Sequence, residues 1–209
     1  MKWPEQRRWI QLWQAIGASG DGAHWYDTLT QSYGESQRHY HNRDHLAECL
    51  EEFDRARHLA KDPAAVELAL WFHDAVYDPK AADNEEQSAA MARNCLSAAG
   101  LSSLADTVGA LVMATKSHDT GMSADAALLV DIDLSILGRE PKRFAEFEAQ
   151  IQEEYKWVPK LVFKFKRAQI LERFLNRPRI YATDFFAGRY EEAARRNLTD
   201  SIQQLRRLW

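Results

Sequence analysis

The sequence predicts an all-α protein, and three observations carry that expectation. Apolar residues recur at three- and four-residue steps along most of the chain. The breaks between those stretches hold Gly, Pro, Ser and Asp, which stop or cap helices. Signals for half-buried strands do not recur alongside them. At 209 residues one domain is expected over 1–209, with a core over about residues 30–140 and C-terminal helices over about 141–209 packed on it.

Each element follows from local pattern. The first stretch carries Trp3, Trp9 and Trp13, with Arg7 and Arg8 between them; a helix docking its tryptophans on the core accounts for this better than a membrane-surface helix. HLAECLEEFDRARHLA (45–60) sets Leu46, Cys49, Leu50 and Phe53 on one helix face. Pro63 suits a helix start, and AAVELALWFHD runs apolar up to His73 and Asp74. YDPKAADN (77–84) is turn-rich, and EEQSAAMARNCLSAAG is a helix ending at Gly100. LADTVGALVMATKSH, ADAALLVDIDLSILG and EPKRFAEFEAQIQEEY follow as further helices. A long segment runs from Pro159 to about Asn176; Pro178 breaks it, and Thr183 or Asp184 can cap a last helix. Its FKFKRAQILERF portion reads as a core helix with Ile170, Leu171 and Phe174 inward and its Lys and Arg in solvent, in preference to a basic interaction face.

Composition narrows the function. The net charge of -4, from 27 basic and 31 acidic residues, argues against a nucleic-acid binder but leaves room for a small phosphorylated ligand held by local cations. Cys49 and Cys95 are outside any CxxC pair and read as two core thiols in a reducing compartment. No secretory h-region and no membrane-length apolar run is present, so a cytoplasmic protein with no membrane partner is expected.

Three places break the rule that apolar helix faces stay apolar. RHYHNRDHL holds His39, His41 and His45; the last two share a face if a helix has begun by Asn42. His73-Asp74 closes an apolar helix after Leu70, Trp71 and Phe72, and Asp131 and Asp133 are embedded in LLVDIDLSIL. A carboxylate on such a face is costly unless paired or bound to a cation. Asp133 has Leu129, Val130, Ile136 and Leu137 as helical neighbours, and Asp131 has Ala127, Leu128 and Leu134; spacing does not choose between them. Imidazoles and carboxylates on inward faces together predict a mixed N/O site for a divalent metal.

His45, then His73-Asp74, then a distant Asp resembles the H…HD…D pattern of the HD superfamily of metal-dependent phosphohydrolases. YHNRDH at 40–45 is similar to the YHNxxH motif of eukaryotic cyclic-nucleotide phosphodiesterases in that superfamily, and DLS at 133–135 to their Asp-Leu-Ser. RHYHN…HL, WFHDAVYD, DNEEQSA, DIDLSILG, RFLNRPRIYATDFF and EEAARRNL, in that order, resemble a group of small bacterial HD proteins known as predicted phosphohydrolases. The resemblance implies a single-domain HD helical bundle. It makes His45, His73, Asp74 and Asp133 metal ligands, and His41 the acid that protonates the leaving oxygen. Alarmone hydrolases of the superfamily carry HDxxED; Tyr77 stands here at the Glu position, which argues against that substrate.

The chemistry expected is hydrolysis of a small phosphorylated metabolite, a nucleotide above all, using a divalent ion (Mn²⁺, Fe²⁺, Co²⁺, Ni²⁺, Mg²⁺ or Zn²⁺). Asp78 and Glu85 are candidates for orienting water, and Arg38, Lys116 and His118 for contacting phosphate. The competing readings are a non-catalytic metal- or nucleotide-binding HD module and a di-iron HD oxygenase.

Overall fold

The computed structural model describes residues 6–117 and 123–207, and all regular structure among them is helical. Helix α1 (Gln6–Ala15) buries Trp9, Leu12 and Trp13, as its spacing predicts. Trp9 donates its indole N–H to the Gly22 carbonyl at 2.6 Å and meets Trp71 edge-on, ring centroids 5.2 Å apart. Helix α2 (Gly22–Ser32) was not legible in the sequence, because it buries only Gly22, Tyr26 and Leu29 and offers a weak apolar stripe. Gly22 is required there, since a Cβ would lie 2.7 Å from Trp13 Cδ1.

Helix α3 (Arg43–Ala56) starts after Asn42, whose side chain accepts from the Asp44 and His45 N–H groups. Helix α4 (Pro63–Phe72) has Asp62 as N-cap and Pro63 in its first turn, and is buried without interruption from Ala65 to Phe72. Such a helix has no solvent face, so α5 (Asn84–Ala98) and α6 (Ser102–Ser117) cover it as a hairpin, with α3 also against it. Gly100 turns that hairpin at φ +83°. Buried Glu67 on α4 is held by Arg8 Nε at 2.7 Å and Arg57 Nη1 at 2.5 Å.

The chain forms two compact units that divide between Val130 and Asp131, inside α7 (Ala124–Asp133). The helix expected to continue to Gly138 tightens to a 3-10 helix over Leu134–Gly138. In the second unit α10 (Asp184–Arg206) packs on that segment and on α9 (Lys160–Leu175), and α8 (Pro141–Glu154) also meets the segment. Thr183 caps α10, as expected.

No helix among the described residues is long and apolar enough to cross a membrane. Cys49 and Cys95 are both buried and free, and burial pushes the Cys95 thiol well up, which keeps it protonated and inert.

Candidate metal centre

Burial of α4 dictates where its polar end lies. His73 follows directly as the C-cap, 2% exposed, and its Nδ1 sits 2.8 Å from the Leu70 carbonyl oxygen. A carbonyl only accepts, so Nδ1 carries a proton, and in the neutral ring Nε2 presents a lone pair. That Nε2 lies 3.0 Å from His45 Nε2 and 3.1 Å from Asp74 Oδ2. His45, in the first turn of α3 and 2% exposed, places its Nε2 3.3 Å from the same carboxylate oxygen.

With His73 neutral, its Nε2 and Asp74 Oδ2 are both acceptors, and at 3.1 Å such a pair calls for a proton or a cation between them. A metal ion is one such cation, and two imidazoles beside a carboxylate are donors that can hold one. Burial pushes the Asp74 carboxyl up, but His73, His41 and His45 outweigh it and hold the group well below the usual carboxylate range.

Within the first unit, donor atoms of His45, Cys49 and His73 lie within 4.8 Å of one another. Cys49 Sγ is 3.8 Å from both His45 ring nitrogens, one helical turn along α3. Sequence reasoning took Cys49 only as a core thiol. The signal that identifies it is its four-residue spacing from His45 on one helix face.

His41 needs a correction of register. Asn42 takes the N-cap position, so His41 precedes α3 instead of sharing its face with His45. It reaches the centre through the turn: its ring stacks on Tyr77 at 4.2 Å, and its centroid is 5.9 Å from that of His45. His39 is half-buried in the same turn, and its carbonyl accepts from Asn42 Nδ2 at 2.8 Å.

Arg38 holds the protein's own backbone. Its side chain is 0% exposed, so an anion arriving from solvent does not reach it. Nη1 donates to the carbonyls of His41 (3.1 Å) and Asp74 (2.5 Å), Nη2 to Ala75 (3.0 Å), and Nε to Glu35 (2.9 Å). The guanidinium packs over Tyr33 and Tyr77, 5.3 and 5.6 Å from the ring centres. Tyr33 completes the brace: its hydroxyl accepts the Asp74 N–H at 3.3 Å and donates to the Trp71 carbonyl at 3.2 Å. Arg38 thus ties the turn carrying His41 to the segment carrying Asp74.

Asp78 and Lys116 have local partners. Asp78 is exposed and its carboxylate accepts the Lys80 N–H at 2.9 Å in a turn closed by Asn84. Glu85 is half-buried in the first turn of α5. Lys116 pairs with Glu86 and donates to the Ala82 carbonyl at 3.1 Å. His118 lies outside the described residues.

Of the two carboxylates on α7, Asp131 is 0% exposed and accepts from Ala182 N (2.8 Å), Thr183 N (2.7 Å) and Thr183 Oγ1 (2.6 Å). These donors give it a structural role at the start of α10. Burial still pushes its pKa up, against those hydrogen bonds. Asp133 is half-buried.

A cavity of about 440 Å³ opens between α2 and α5, lined by His24, Trp25, Met91 and others, with none of the centre's residues in its wall. Comparison with protein-family models, with curated proteins and with solved structures finds no match to the chain.

Proposed function

We propose that the protein is a metal-dependent phosphohydrolase of the HD superfamily acting on a small phosphorylated metabolite, a nucleotide above all. The observation that carries this reading is the convergence of His45 Nε2, His73 Nε2 and Asp74 Oδ2 within 3.0–3.3 Å, at the residues the H…HD order singles out. His45, His73 and Asp74 would hold the ion, with Asp133 as the fourth ligand. A divalent ion bound there supplies Lewis acidity, making water a nucleophile near neutral pH and offsetting charge on a phosphoryl group.

The chain's own residues do the rest. The Leu70 carbonyl keeps the proton on His73 Nδ1, so Nε2 always faces the centre. His41 lies close enough to the Asp74 carboxylate to help hold that group below its usual range. His41 is then a source of the proton that the departing oxygen requires. Arg38 and Tyr33 fix the backbone on both sides, so His41 and Asp74 keep their separation.

The test is turnover. Purified protein supplied in turn with Mn²⁺, Co²⁺, Ni²⁺ and Mg²⁺ should hydrolyse at least one member of a broad panel of nucleotides and small phosphoesters. Stoichiometric metal with no turnover on any of them would sink the enzyme reading.

Cys49 favours a second reading. Two imidazoles, a thiol and a carboxylate are donors of closed tetrahedral zinc sites, which stabilise folds without chemistry. In that case zinc would raise the melting temperature and the panel would stay silent.

A further inference from the structure

The exposed apolar side chains are gathered in one place. Among the described residues six large hydrophobic side chains are exposed, and five of them, Trp157, Leu161, Val162, Phe165 and Ile170, lie in and just before α9. Leu161 is 57% exposed, Trp157 51% and Phe165 50%. The helix buries only Ala168 and Leu171, so the exposed apolar side chains are spread over its outward half. The inward placement of Ile170 read from the sequence is therefore reversed: Leu171 alone of its trio is fully buried, and Ile170 is 41% exposed.

The same stretch is basic. Lys156, Lys160, Lys164, Lys166 and Arg167 fall between 156 and 171 with no acidic residue among them, in a chain whose net charge is -4. Arg167 is paired with Glu148. Lys156, Lys160 and Lys166 are exposed in the same stretch.

We propose that this face docks the protein on an anionic lipid surface. Apolar side chains exposed this densely need an apolar layer, and lysines alternating with them need anions at the same level; the boundary of an anionic bilayer provides both. Trp157 suits the headgroup boundary, and each lysine stem can lie along the apolar layer while its ammonium reaches a phosphate. A symmetric pair of copies joined through this face would set lysines against lysines, which disfavours a second copy as occupant. The contact is with the surface only, and it is independent of the metal centre.

Co-sedimentation of the full chain with vesicles tests it, using neutral phosphatidylcholine alone and phosphatidylcholine mixed with phosphatidylglycerol, at low and high salt. The protein should partition onto the anionic vesicles about tenfold or more better than onto neutral ones, and lose most of that at high salt. Leu161→Gln with Phe165→Gln should weaken partition onto anionic vesicles about tenfold, and Lys160→Glu with Lys166→Glu should abolish the preference for them. All four side chains are exposed, and an unchanged circular-dichroism melt confirms that each variant folds. No partition of the wild type onto anionic vesicles overturns the proposal, as does partition undiminished in both variants. A concentration-dependent dimer that Leu161→Gln with Phe165→Gln dissociates, without vesicle binding, overturns it in favour of a second copy.

Discussion

His41 lies flat against Tyr77, with ring centroids 4.2 Å apart and 27° between the planes. Arg38 reinforces the pairing by donating to the His41 carbonyl while packing over the Tyr77 ring. The position of the His41 imidazole is thus set by the ring it stacks on.

His41→Ala should keep the metal and lose roughly 10²–10⁴-fold in rate, the usual scale of general acid–base catalysis. The loss should be smaller on nitrophenyl esters, whose leaving group needs no proton. Tyr77→Phe keeps the stacked ring and should stay near wild type, whereas Tyr77→Ala should fall toward His41→Ala. Steady-state rates with elemental analysis read this out; metal lost in His41→Ala would make His41 a ligand instead.

His45→Ala, His73→Ala and Asp74→Ala should each lose stoichiometric metal and activity together. The carboxylates of α7 should separate. Asp133→Asn should lower metal content, while Asp131→Asn should keep it. Asp131→Asn should instead destabilise the fold by about 1–3 kcal/mol, because an amide nitrogen would face N–H groups that now have an acceptor. Metal content beside urea unfolding decides, and the reverse ranking would exchange the two roles.

Lys116 is already paired, so Lys116→Ala should change substrate affinity little. Its measurable effect is on Glu86, whose pKa is lowered chiefly by the hydrogen bond from Lys116. A depressed carboxylate pKa means that the folded state binds its proton less readily than the unfolded one. The pair's contribution is therefore present above the usual carboxylate range and lost as pH falls through the lowered value. Lys116→Ala should return the Glu86 titration, followed by NMR, toward its ordinary value, and high salt should move it the same way.

Cys49→Ser should lower affinity for Zn²⁺ relative to Mn²⁺, since a thiolate prefers the softer ion and a hydroxyl does not. Competition between the two metals measures this. An unchanged ratio would leave Cys49 as packing beside the centre.

The helical character was legible because it is local. Spacing gave away α3 and an apolar run gave away α4, and Gly100, Pro63 and Thr183 marked ends that the structure keeps. His45, His73 and Asp74 were legible for a related reason: polar groups on apolar faces are costly anywhere, so their presence in sequence already asks for a partner. The weak stripe of α2 and the division inside α7 leave no such mark, since a few buried residues or an unbroken helix look alike before folding. Arg38 and Asp131 show what only tertiary structure decides. A sequence states that a side chain is charged, but whether it meets solvent or a backbone depends on which distant carbonyls and N–H groups the fold brings within 3 Å or so of it. The outward turn of Ile170 was decided in the same way, by the packing of α9, which buries Leu171 and leaves its neighbour exposed.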